Sequence, residues 1–238
     1  MLSEKFIKRV KEIIPEWLWV SQQTTPVIYF WKYYNSRVCT ISLNPSDREF
    51  FDKNWNLLTK EERRLCSRKD LVKNDDETLT VNECETVISA CEMYFQNKPY
   101  KSWFNKYEVF LNAFWYSYYD WTAVHLDLVQ WATTPFWWEL NTIQKDELLK
   151  RDLPFLEHML ERRFECIFLN GKTTTLEVSR QLRIWLTEKV AIYWWKNIVL
   201  YSWTYNQTPI IWWSPYIQSA NVWGYEKIRE LAKLIQTQ

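Results

Sequence analysis

Apolar positions recur along this chain at two spacings, and the alternation between them predicts its fold. The opening segment from Ser3 through Val10 to Ile13 and Ile14 has helical spacing, and Pro15 closes it. Arg37 to Leu43 reads as a strand, and residues 46–79 read as a charged, irregular insertion. Thr80 is placed to cap a helix, with Glu83 completing a capping box and Val87, Ile88, Cys91, Tyr94 and Phe95 on one face. A second helix is expected over 102–114, and Thr122 to Leu128 reads as a buried strand. Helical spacing fills 143–162, with a break or kink expected near Pro154. Phe164 to Leu169 predicts a third strand, followed by a helix from Thr173 to about Leu186. Val190 to Ile192 and Ile198 to Tyr201 are further strands, and an amphipathic helix covers Tyr225 to Ile235. Strands alternating with helices predict one α/β domain over residues 1–238. The expected arrangement is three-layer α/β/α, with a mainly parallel central sheet covered on both faces.

One count changes the picture. The sequence holds 17 Trp and 2 Gly in 238 residues, whereas usage of about 7% would give roughly 17 glycines. Trp55 sits in Asp52-Lys53-Asn54-Trp55-Asn56, where a tight turn favours glycine; Trp121 follows Tyr119-Asp120 and Trp203 follows Tyr201-Ser202. Trp194-Trp195 and Trp212-Trp213 are expected between strands. One reading is that many tryptophans stand at glycine positions, as when UGA is read as tryptophan from a gene whose own code reads it as glycine. The expected sites are Trp31, Trp55, Trp115, Trp121, Trp138, Trp185, Trp194, Trp195, Trp203, Trp212 and Trp223. The other reading is a Trp-rich protein with an aromatic surface for carbohydrate or membrane contact. The turn positions favour the first.

A net charge of +1 gives no global field for nucleic acid, so any DNA contact must come from a local patch. No apolar run has the length of a membrane span, and no signal-peptide pattern is seen. Five scattered cysteines without a CxxC fit reduced thiols in a cytoplasmic protein, with Cys84 and Cys91 in the core of one helix face. The two histidines and scattered cysteines form no metal constellation, and no cofactor is expected.

Polar signatures close the strands: Ser42-Leu43-Asn44-Pro45-Ser46, His125-Leu126-Asp127 through Thr133, and Leu169-Asn170-Gly171-Lys172. A fourth, Ser214-Pro215-Tyr216-Ile217-Gln218-Ser219, precedes the last helix. An open α/β sheet binds ligands at the carboxyl ends of its strands, so these segments converge on one place. Ser42-Leu43-Asn44-Pro45-Ser46 resembles the Gly-apolar-Asn-Pro loop of the uracil-DNA glycosylase superfamily, closest to its mismatch-specific uracil/thymine branch. Asp127 to Thr133 is similar to that branch's Asn-apolar-Val-x-x-x-Thr segment, and Phe168 to Lys172 to its Phe-Asn-Gly-Lys strand end. Ser214-Pro215 with Gln218 and Ser219 resembles its minor-groove loop. The motifs keep the family's order over residues 37–235.

The resemblance implies a monomeric DNA glycosylase that hydrolyses the N-glycosidic bond of a deaminated or damaged base flipped from the stack. Asn44 would orient the attacking water, and backbone N–H groups in the loop from Leu43 to Ser46, which Pro45 shapes, would hold the base oxygens. His125, Asn170 and Gly171 would complete the base site; Arg48, Lys172, Ser214, Pro215, Gln218 and Ser219 would hold DNA. Asp127 departs from the pattern, because ionised aspartate only accepts hydrogen bonds where the family's asparagine accepts one and donates one. Three accounts stay open: a base with a donor-rich edge, a raised Asp127 pKa, or a role in activating water. His125, two residues earlier on the same strand face, reads as a catalytic acid or as a hydrogen-bonded core histidine. Arg63, Arg64, Arg68 and Lys69, interleaved with acids, read as a solvated face. Tyr116, Tyr118 and Tyr119 read either as stacking platforms or as core. A binding module on the same fold, without cleavage, is the alternative function.

Overall fold

A computed structural model of the chain describes residues 4–15, 18–59, 61–185, 187–193, 196–219 and 224–237. Its centre is a six-stranded sheet in the order β2-β1-β3-β6-β5-β4. Strands β1 (Val38–Ser42), β2 (Ala123–Asp127), β3 (Cys166–Asn170) and β6 (Thr208–Trp213) run parallel. β5 (Lys196–Tyr205) pairs antiparallel with β6, and β4 (Thr187–Tyr193) antiparallel with β5. Among the described residues six α-helices accompany it: α1 (Glu4–Val10), α2 (Val81–Glu92), α3 (Lys101–Ala113), α4 (Thr142–Leu160), α5 (Lys172–Gln181) and α6 (Tyr225–Gln236). The result is the three-layer α/β/α arrangement with a mostly parallel sheet.

β2 and β3 are buried at every position, as parallel strands covered on both faces must be. The polar residues His125, Asp127 and Asn170 on them therefore stand out. α2 forms as its sequence predicts. Glu83 accepts from the Thr80 backbone N–H at 2.7 Å, and Thr80 accepts in return. Cys84, Val87, Ile88 and Cys91 then fall on one buried face, each contributing about 1–3 kcal/mol of burial. All five cysteines are free and buried.

Several elements differ from expectation. α1 stops at Val10, well before Pro15. α4 runs unbroken through Pro154, because Phe155, Leu156, Met159 and Leu160 beyond it bury the same face as Leu148 and Leu149 before it. α5 ends at Gln181, and Arg183 at φ 54° turns the chain towards β4. Trp212 and Trp213 lie inside β6, not between strands. Asn206 and Gln207, both at positive φ, make the two-residue turn into β6. The segment over 46–79 is irregular but fastened to the body. The buried Arg68 guanidinium donates to the carbonyls of Glu12, Asn74 and Glu77, so Arg68 does not belong to a solvated face.

Five tryptophans hold positive φ: Trp19 (57°), Trp31 (89°), Trp55 (64°), Trp115 (59°) and Trp121 (71°). Four of these are expected glycine sites, and Trp19 is an addition. Trp138, Trp185, Trp203 and Trp212 are not at positive φ; Trp194, Trp195 and Trp223 lie outside the described residues. Among the described residues no helix is long and apolar enough to cross a membrane.

Candidate active site

The parallel strands end level with one another. Ser42 is paired with Asp127, and Asn170 with Trp213. Beyond the sheet the first two loops stay tied, Leu128 N–H to Ser42 C=O at 3.0 Å and Val129 N–H to Leu43 C=O at 2.9 Å. A cavity of about 830 Å³ opens over these ends. Its walls include Leu43, Asn44, Pro45, Ser46, Arg48, His125, Asp127, Asn170, Gly171 and Lys172, which the sequence places there.

Asn44 is oriented by its neighbours. Its side-chain NH₂ donates to the Trp131 carbonyl at 3.3 Å and the Thr133 hydroxyl at 3.2 Å. Both N–H groups are thereby engaged, so the polar atom of Asn44 left without a hydrogen bond is its carbonyl oxygen, an acceptor. Ser46 turns the chain after it, accepting from Arg48 N–H at 3.2 Å as the cap of a short 3₁₀ turn over Asp47–Glu49.

Asp127 is 4% exposed, and neither carboxylate oxygen has a hydrogen-bond partner. His125 stands closest along the strand, with Nε2 3.5 Å from Oδ1. On the other side of the ring, Nδ1 lies 2.7 Å from the Thr40 hydroxyl, itself 2.7 Å from the Tyr118 hydroxyl. The Tyr118 and Thr40 hydroxyls and the imidazole form one buried hydrogen-bonded chain behind Asp127. Tyr118 is buried and hydrogen-bonded in the core, not a stacking platform. Burial raises the Asp127 carboxyl above the usual carboxylate range, and His125 opposes the shift.

Two further acids reach the cavity. Glu49 is 2% exposed and accepts from the Tyr94 hydroxyl at 2.7 Å. Burial pushes its carboxyl up to about 7, against the pull of the Tyr94 hydrogen bond and Arg64. Asp47 is raised by burial, with Arg48 opposing, and its Oδ2 has no partner. Among the described residues no group of three or more His, Cys, Asp or Glu has the geometry of a metal site.

The β3/β6 side is built differently. Asn170 lines the cavity, yet its carbonyl accepts from Trp213 Nε1–H at 2.9 Å and Ile217 N–H at 3.0 Å, and its NH₂ donates to Gln218. Ser214 accepts from Val199 N–H at 3.0 Å, and the Ser219 carbonyl accepts from Lys106 at 2.8 Å. Ser214, Pro215, Gln218 and Ser219 do not line the cavity; Tyr216 between them does. Gly171 sits at φ 85°, and a Cβ there would lie 3.0 Å from Tyr216 Cδ2, so here glycine is required twice over. It starts α5, placing the positive end of that helix on the cavity.

The rim is aromatic and basic. Trp103 donates through Nε1 to the Tyr216 hydroxyl at 3.2 Å. Phe136 stacks on Trp138 at 4.7 Å and meets Trp55 at 6.2 Å, with the Arg48 guanidinium 5.2 Å over the Trp55 ring. Arg48 also donates to the Asp52 carbonyl, so it is fastened to its own loop. Lys145 and Lys172 complete the cationic groups on the lining. Sequence reasoning missed Glu49, Trp103 and Tyr216. The signal for Trp103 was its place before Phe104 and Tyr107 on an aromatic helix face, which reads equally as core. Comparison of the chain with protein-family models, curated proteins and solved structures finds no match.

Proposed function

We propose that this protein is a DNA base-excision glycosylase of the uracil-DNA glycosylase type, hydrolysing the N-glycosidic bond of a deaminated or damaged base without a cofactor. The observation that carries this reading is Asn44, a lining residue whose NH₂ is held by Trp131 and Thr133, leaving its carbonyl oxygen free to accept. That acceptor orients a water toward the sugar carbon. Glu49, with its carboxyl poised near neutrality, takes the water's proton as the new C–O bond forms. The electron pair of the breaking C–N bond leaves with the base. Trp103 and Tyr216 offer faces for the flipped base, whose unstacking costs a few kcal/mol. The positive end of α5, with Lys172 and Lys145, attracts the phosphates.

The test is base release from single- and double-stranded oligonucleotides carrying one altered base, with Asn44→Ala as control. Release that disappears in the control supports the reading. No release by the folded wild type over a full panel of bases would overturn it. The outcome would then favour a nucleotide-binding module on the same fold, which the near-zero net charge also suits.

A further inference from the structure

Asp127 gives the cavity a preference that the motifs do not. It is 4% exposed, lines the cavity, and leaves both oxygens without a hydrogen bond. A buried carboxylate with two open oxygens calls for two adjacent N–H donors. Uracil offers one N–H between two carbonyls, so one oxygen of Asp127 would face another oxygen. Adenine and cytosine each set an N–H beside a lone pair. The guanine edge sets N1–H beside N2–H and satisfies both oxygens together.

The charge of the cavity narrows the choice further. Asp47 and Glu49 stand on the same lining as Asp127, and Arg48, 3.9 Å from Asp47, is shared with the Asp52 carbonyl and the Trp55 ring. His125 faces Asp127 along the strand, and Lys145 and Lys172 complete the charged groups with Glu177. Four carboxyls against three Lys and Arg cations on the lining disfavour a base that must depart as an anion, as uracil and unmodified guanine do. They favour a base that is cationic before the bond breaks and neutral after it. We propose that this site, taken as the base pocket of the glycosylase reading above, selects N7-alkylated guanine, with Asp127 accepting from N1–H and N2–H. The C1′–N9 pair flows into the positively charged imidazolium ring, which leaves neutral. Water adds to C1′, and its proton goes to Glu49. Unmodified guanine fits the same edge contacts but lacks the charge that lets it leave.

Two measurements test this. Calorimetric titration of the protein with 7-methylguanosine and with uridine should show the first binding at least about tenfold tighter, the scale of one good bidentate contact. Asp127→Asn, which offers one donor and one acceptor, should abolish or reverse that ratio; should it fail to fold, the wild-type ratio decides alone. Equal affinities, tighter uridine, or no binding of either overturns the inference. In parallel, duplexes carrying one N7-methylguanine or one uracil are assayed for release. Release of uracil but not N7-methylguanine sinks the base choice and spares the glycosylase. Tight 7-methylguanosine binding without release of any base does the opposite.

The backbone carries a second, independent inference. Five of the 13 tryptophans within the described residues hold positive φ, a conformation that only a few per cent of non-glycine residues adopt. Among these five, the buried indole N–H of Trp31 also lacks any acceptor, as expected of a side chain the fold was not built around. We infer that Trp19, Trp31, Trp55, Trp115 and Trp121 are glycines in the protein its own cells make, encoded by UGA. The codons decide first: UGG at these five positions overturns the inference. Peptide masses from the native cells decide next, with glycine expected and tryptophan fatal to it.

Discussion

Asn44 and Asn170 close neighbouring parallel strands, line the same cavity and are used in opposite ways. On the β1/β2 side polar atoms are left open: the Asn44 carbonyl, both oxygens of Asp127 and one of Asp47. On the β3/β6 side Asn170 has its carbonyl and NH₂ both engaged, holding Trp213, Ile217 and Gln218. The difference separates chemistry from carpentry. An asparagine at a strand end does either task, and only its partners tell which. The sequence resemblance treats both as parts of one substrate site; the hydrogen bonds divide them.

That division is open to attack. Asn44→Ala should lower single-turnover base release by about 10²–10³-fold, while thermal melting moves by no more than about 1 kcal/mol. Asn170→Ala should do the reverse. It strands the Trp213 indole and the Ile217 amide, and a urea melt should register a loss of about 2–4 kcal/mol, with the molecules that stay folded keeping their turnover. If both variants lose activity and keep stability, the two walls are alike and the distinction fails.

Glu49 sharpens the open side through pH. Its carboxyl titrates at about 7 in the folded chain against 4.5 ordinarily. Between those values the folded state holds a proton that the unfolded state has lost, so stability falls as pH rises through the window. The full loss, above about pH 7, amounts to roughly 3 kcal/mol or less. Glu49→Gln removes this term, and its melting temperature relative to wild type should rise between about pH 5 and pH 8. A constant difference across that range would place Glu49 in solvent. Smallest in effect, Trp121→Gly far from both walls should stabilise by about 1 kcal/mol, read as a rise of about 2–4 °C.

Much of the fold was legible because burial on both faces leaves near-continuous apolar runs for β1 to β3, and a capping box marks α2. β6 was missed because Pro209 and the Trp212-Trp213 pair look like an interruption; Pro209 is tolerated near the start of the strand, beside the hairpin turn. Asn44 and Asp127 could be found because each is a polar residue closing an apolar strand. Glu49 could not, since it falls in the charged, irregular stretch over 46–79 and its hydrogen-bond partner Tyr94 is distant in sequence. The loop after β6 misled for a related reason. Its serines and Gln218 look like ligand contacts, yet they fasten the loop, and among its described residues Tyr216 alone turns to the cavity.

The five buried cysteines give the molecule its own clock. Burial pushes the thiols of Cys66, Cys91 and Cys166 up to about 12 and raises those of Cys39 and Cys84. Folded chains should therefore resist alkylating reagents, and each global opening should expose five reactive sulfurs at once. The rate of thiol modification reports unfolding directly, free of the overlapping fluorescence of many indoles. Every substitution above can be ranked by that rate without an added probe.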